Sequence, residues 1–127
     1  MTIVLDSGGV SALSGALPRL RVLQREGRWP PLVPSVVLAE CLTGDHWRDH
    51  HANRLLRLCN VADVDEHLAR RAAVLRTAAA RRRPSATDAI VMAAAVEAEA
   101  EVVLTSDPAD LRALAAVAGH RVRVEPV

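Results

Sequence analysis

A chain of 127 residues, 50% hydrophobic and with a formal net charge of +1, holds enough apolar material for one domain spanning 1–127 and is too short for two ordinary ones. These values exclude a disordered tail and a global polyelectrolyte; all 16 basic residues are Arg, which suits bidentate phosphate contact, but GC-biased codon usage accounts for the lysine-free, alanine-rich composition more simply, so any basic surface must be local. Cys41 and Cys59 form no C-x-x-C pair and read as buried thiols of a reducing cytosol, and no segment reaches the roughly 18 apolar residues of a membrane helix, so no membrane role and a cytoplasmic location are expected.

Thr2 to Leu5 reads as a short buried strand that ends at Asp6; Gly8 and Gly9 then suggest a turn, with a helix from about Val10. Pro18 opens a second helix, PRLRVLQREG, with Leu20, Val22 and Leu23 facing inward, several arginines outward and Gly27 at its end. WPPLVPS allows only a few strand residues around Leu32 and Val33, after which Pro34 and Ser35 start the helix SVVLAECLTG. On that helix Glu40 follows Val36 by four positions and Val37 by three, so the acid shares a face with apolar residues and should point inward or at a cleft.

Asp45 to Cys59 reads as one helix with Leu55, Leu56 and Leu58 as its apolar contacts. His46 and His50 stand at the i, i+4 spacing of helical metal ligands, beside Asp49 and His51, but a solvated helix face explains them more simply than zinc. Asn60 to Val64 is a candidate strand, and Asp65 caps a long amphipathic helix with Leu68, Ala72 and Leu75 on one face. That helix ends in Arg81-Arg82-Arg83-Pro84, the densest positive charge in the chain; such a run is usually just solvated, yet this one stands where it could steer a phosphate backbone toward Asp88 in the segment that follows.

That segment, SATDAIVMAAAVE, is apolar at every position from Ala89 to Val96, so its helix has no polar face and belongs inside the domain. Ser85 or Thr87 caps it, which puts Asp88 in the first turn, where free N–H groups and the helix dipole favour the ionised form. Val102 to Leu104 is a second apolar strand, followed by Thr105, Ser106 and Asp107, with Pro108 opening the next helix, so Asp107 repeats the placement of Asp6. The tail HRVRVEPV alternates like a half-exposed edge strand. Short apolar strands separated by helices predict an α/β fold with a mostly parallel central sheet flanked by helices.

Asp6 and Asp107 each follow a strand, and ligands of open parallel sheets bind beyond the carboxyl ends of the strands. Asp88 and Glu40 are inward acids on helices, and four acids brought together repel one another unless protons or cations neutralise them. An all-oxygen carboxylate set favours Mg²⁺ or Mn²⁺, and such ions support hydrolysis of a phosphodiester.

LDSGG, VLAE, SATDAIVMAAA and LTSDPADL, in this order and at these intervals, resemble the acidic motifs of PIN-domain ribonucleases, in particular the VapC toxins of type II toxin–antitoxin systems. Each motif alone is weak; the ordered set spans essentially the whole chain. The resemblance implies a three-layer PIN-like fold in which Asp6, Glu40, Asp88 and Asp107 bind Mg²⁺ or Mn²⁺. It implies endonucleolytic cleavage of RNA, with the Thr105 hydroxyl arranging the site and Asp110 as an outer carboxylate. It also implies a homodimer neutralised by a VapB-type antitoxin whose C-terminal segment lies beside the acidic pocket. One departure stands out: the family often carries a hydroxyl or amide residue two positions after the first Asp, where this chain has Gly8, with Ser7 adjacent.

Two other classes of function compete with a ribonuclease toxin. A non-catalytic member would bind antitoxin, and with it operator DNA, in an autoregulating complex. A zinc-binding module would use His46, His50 and His51. With Trp29 and Trp47 as the only aromatics, RNA contact is expected to rest on Arg and on RNA shape more than on stacking, with Trp47 the better candidate for an interface anchor.

Overall fold

The computed structural model describes residues 2–127. Five strands, β1 (Ile3–Leu5), β2 (Leu32–Pro34), β3 (Asn60–Ala62), β4 (Val102–Thr105) and β5 (Arg123–Pro126), form one sheet in the order β3-β2-β1-β4-β5. Every pairing is parallel, so the sheet is parallel throughout rather than mostly so. The two segments that are apolar without alternation occupy adjacent central positions, β1 and β4, where both faces are covered and every residue is buried. β3 and β5, with more polar sequences, take the edges.

Among the described residues seven α-helices connect and flank these strands: α1 (Ser7–Leu13), α2 (Leu17–Arg25), α3 (Val36–Cys41), α4 (His50–Leu56), α5 (Glu66–Ala78), α6 (Ala86–Glu97) and α7 (Pro108–Val117). α1 packs against α2, α3 and α4, whereas α5, α6 and α7 pack on one another, and α6 also reaches β1, β2 and β4. The apolar run of α6 buries Ala89 and Val91 through Ala95, as a helix without a polar face must. Its small side chains let α5 and the sheet approach closely. Asp65 caps α5 by accepting the Leu68 N–H at 2.8 Å, and Ser85, not Thr87, caps α6 by accepting the Asp88 N–H at 3.0 Å. Glu97 joins the two helices through His67 at 2.8 Å and Arg71 at 3.5 Å.

Several local expectations are corrected by packing. α1 begins at Ser7, not near Val10, so Gly8 and Gly9 lie inside its first turn. They are glycines because the turn presses on the β4–α7 connection. A Cβ on Gly9 would stand 2.6 Å from the Leu104 carbonyl oxygen, and one on Gly8 would meet the Ser106 side chain and stand 2.9 Å from the Ser106 backbone N. The segment 45–59 is helical only from His50 to Leu56, and Leu58 is exposed; Val22 likewise faces solvent while Leu23 is buried. β3 stops at Ala62, beyond which the Ser35 hydroxyl accepts the Val64 N–H at 3.2 Å.

Gly9→Ala is expected to destabilise the chain by at least about 2 kcal/mol, because the added carbon meets backbone that cannot rotate away. Urea denaturation measures this, and an unchanged midpoint would show that the first turn of α1 is not pressed onto β4.

Candidate active site

The chain runs from β1 to β2 and β3 on one side of the sheet, then returns to place β4 and β5 on the other. The strand order therefore reverses between β1 and β4, and the carboxyl ends of those strands are where an open parallel sheet receives its ligands. Asp6 follows β1 at this point and is 7% exposed. Its Oδ1 accepts the Gly9 N–H at 2.7 Å, capping α1, and its Oδ2 accepts the Thr105 hydroxyl at 2.5 Å. Thr105, the fully buried last residue of β4, also accepts the Asp107 N–H at 3.0 Å through the same Oγ1. One hydroxyl thus fixes a rotamer on Asp6 and the backbone at Asp107.

Asp88 enters the same neighbourhood from the first turn of α6. Burial pushes its carboxyl up to about 6, and the charges of Asp6, Asp110 and Glu40 push it the same way, against the Ser85 hydroxyl. The sequence led us to expect that the helix N-terminus would favour the ionised form; desolvation and like charge outweigh it. The expectation that gathered acids would compete for protons describes Asp88 better.

The other acids are placed less uniformly. Glu40 is exposed in the last turn of α3, which removes the inward alternative and leaves the cleft-facing one; its charge reaches Asp88, and α3 packs on α6. Asp107 is exposed at the start of α7 and is tied to the network through its backbone N–H. Asp110, in the first turn of α7, accepts Arg82 Nε at 2.7 Å. Among the described residues no three His, Cys, Asp or Glu side chains form a group that could hold a metal ion, and this includes His46, His50 and His51. The structure joins Asp6 to Thr105 by a hydrogen bond and places Asp88 where the charges of Asp6, Asp110 and Glu40 act on it.

Sequence reasoning passed over Asp49. It is a buried acid whose carboxylate accepts the Thr43 N–H (2.9 and 3.1 Å), the Thr43 hydroxyl (2.9 Å) and the Gly44 N–H (2.8 Å). The Thr43 N–H, foremost among these donors, helps hold its pKa below the ordinary carboxylate value despite desolvation. The Thr43-Gly44 pair, a turn with free N–H groups a few residues before an acid, is the signal that could have found it. The clamp fixes the loop that leaves α3 immediately after Glu40.

A raised Asp88 pKa means that the folded chain binds this proton more readily than the unfolded chain. The contribution of Asp88 is therefore most favourable below its ordinary value of 3.8 and is lost as pH rises through about 6. In EDTA, Asp88→Asn should be more stable than the parent at about pH 7.5, by about 1 kcal/mol once solvent screening of this half-exposed group is allowed for. The gain should fade near pH 4. Denaturation at both pH values checks the sign, and a variant less stable than the parent at the higher pH would show that Asp88 is not under charge strain.

Neither protein-family models nor curated protein sequences match this sequence. Solved structures do. A chain of VapBC2 from Rickettsia felis, solved bound to a DNA fragment from its promoter, superposes with a TM-score of 0.74 at 13% identity, over 100% of this chain and 99% of that one. A chain of DNA-bound VapBC from Salmonella typhimurium gives 0.73 at 18% identity over 99% and 98%. VapC20 of Mycobacterium tuberculosis, a toxin that cleaves the sarcin–ricin loop, gives 0.67 at 18% identity over 87% of this chain and 94% of its own. The fold of this chain is the PIN-like α/β fold of VapC-type toxins.

Proposed function

We propose that the chain is a metal-dependent endoribonuclease toxin that hydrolyses RNA phosphodiester bonds at the Asp6–Asp88 crevice and is neutralised by a VapB-type antitoxin. The observation that carries this reading is the pairing of two carboxylates from different elements at the switch point of a parallel sheet, with Asp88 pushed up to about 6 by burial and by its acidic neighbours. The likeness in fold to a ribonuclease toxin and to chains solved in VapBC complexes supports it.

The donor chemistry fits a hard divalent cation. Asp6, Asp88, Glu40 and Asp107 offer only carboxylate oxygens, and Mg²⁺ is commonly held by one or two protein carboxylates with water completing its shell. Asp6 and Asp88 would hold the ion, with Glu40 and Asp107 as the outer acids. Bound there, Mg²⁺ or Mn²⁺ supplies neutralising charge and a water of lowered pKa. Thr105 keeps Asp6 in one orientation, and the Gly9 N–H holds its other oxygen. In hydrolysis the water oxygen bonds to phosphorus, the bond to the leaving ribose oxygen breaks, and one proton passes to a carboxylate while the leaving oxygen takes up another. Glu40 and Asp107, both exposed, are placed to exchange a proton with solvent. A homodimer and a cytoplasmic location complete the proposal; no described helix is long and apolar enough to cross a membrane.

A second reading, a non-catalytic partner of an antitoxin in promoter complexes, draws on two observations. No three ligating side chains converge among the described residues, and the Rickettsia and Salmonella relatives in fold were solved with DNA.

Incubating the partner-free chain with total bacterial RNA in Mg²⁺ or Mn²⁺ and sequencing new 5′ ends separates the two. Discrete cuts should appear and fall at least about 100-fold in EDTA and in Asp6→Asn or Asp88→Asn. Thr105→Val, which removes only the hydroxyl that orients Asp6, should lower the rate about 10-fold. Cuts that persist in EDTA would remove the metal from the mechanism, and a folded chain that makes no cuts would favour the binding module.

A further inference from the structure

Arg82 is the one arginine of the Arg81–Arg83 tract that forms an ion pair with a cleft acid. Its Nε donates to Asp110 Oδ1 at 2.7 Å, joining the turn before α6 to the first turn of α7. The pair is open to solvent, with side-chain exposures of 55% for Arg82 and 29% for Asp110, so its strength as a structural tie is small. The backbone around it is firmly placed. Residues 80–82 form a 3-10 turn, Arg82 N–H donates to the Ala79 carbonyl at 3.1 Å, and Arg76 Nε donates to the Pro84 carbonyl at 3.0 Å. Ser85 then caps the helix that carries Asp88. A rigid turn therefore presents a solvated guanidinium beside the acids.

RNA approaching this crevice meets a field of carboxylates, and a phosphate can settle there only where a cation offsets it. Arg82 carries such a charge, with its Nη groups free to form the planar, paired contact that phosphate favours. In the free chain Asp110 neutralises it. We propose that Arg82 is a phosphate-positioning residue for the substrate, and that an RNA phosphate and Asp110 compete for its guanidinium. The pair then acts as a latch: Asp110 holds Arg82 in register until a phosphate replaces it. This inference rests on the ribonuclease reading, and it adds the residue that seats the strand.

The test is a double-mutant cycle read by RNA binding, not by turnover. Affinity for a fluorescein-labelled, random-sequence RNA of about 20 nucleotides is measured in EDTA for the parent, Arg82→Gln, Asp110→Asn and the double variant. Arg82→Gln should weaken binding about three- to ten-fold and reduce the slope of log affinity against log salt by about one. Asp110→Asn should tighten binding about two- to five-fold, and that gain should disappear when position 82 is Gln. Arg82→Lys should restore the salt slope but only part of the affinity. A purely structural pair would instead give two single variants that both lose stability and show no opposed effects on RNA.

The proposal is overturned if Arg82→Gln leaves both affinity and salt slope unchanged, or if the Asp110→Asn gain is the same in both backgrounds, since the gain would then come from cleft charge alone. A parent that cleaves total RNA while showing either result loses only this inference. A parent that neither binds nor cleaves RNA overturns both the latch and the ribonuclease reading.

Discussion

The arrangement of the crevice depends on one buried carboxylate shared between two strand–helix units. Asp6 closes the first turn of α1 with one oxygen and grips the last residue of β4 with the other. Losing either donor would leave a buried acceptor unsatisfied, at a cost of about 1–3 kcal/mol. The contact is also selective. Thr105 reaches Asp6 only because Gly8 and Gly9 let α1 lie against Ser106 and the Leu104 carbonyl. The first motif and the last, about a hundred positions apart, are therefore one structural unit, and the hydrogen bond is its seam. The space beside Gly8 is taken by the Ser106 side chain, so the missing hydroxyl at position 8 is a steric requirement of this packing.

Asp88 shows the opposite kind of constraint. α6 is apolar throughout its buried length, and its alanines allow the close approach of α5, α7 and the sheet. Placing an acid at the head of such a helix sets it half in a low-dielectric interior, facing other acids, and the Ser85 cap compensates only in part. A fold selected for stability alone would put an amide there. The strain persists because the surrounding packing determines the position, the pattern expected where stability has been exchanged for a site able to attract a cation.

Much of this was legible in the sequence, and the misses share a cause. β1 and β4 were readable because a strand buried on both faces has to be continuously apolar, and Asp6 and Asp107 followed from where those runs stop. Asp65 as a cap and the burial of α6 needed only local chemistry, whereas the choice of Ser85 over Thr87 as the α6 cap came from the structure. The start of α1 was not readable, because two consecutive glycines signal a turn unless one knows that a neighbouring strand end will press on them. The spacing of Glu40 to Val36 and Val37 leaves an inward face or a cleft open, and in the six-residue α3 only Val37 is buried, so the shared face does not bury the acid. The Asp49 clamp escaped because its donors come from a loop, where sequence carries no periodicity. Val22 marks a place where helical spacing overstates the width of the buried stripe, and Leu58 is exposed because α4 ends at Leu56, before reaching it.

The net charge of +1 conceals a separation that matters more than the sum. Acids gather at the carboxyl ends of the central strands, while the arginines of the 81–83 tract sit on the turn leading into α6, where Arg82 pairs with Asp110. The elements that supply Asp6, Glu40, Asp88 and Asp110 are the ends of β1 and α3 and the beginnings of α6 and α7, and none of these segments holds two of the four. The acidic field exists only when all of them are docked, since in an extended chain the same carboxylates would be too far apart to perturb one another in salt. The elevated pKa of Asp88 is accordingly a property of the assembled fold, and so is any affinity for cations that follows from it.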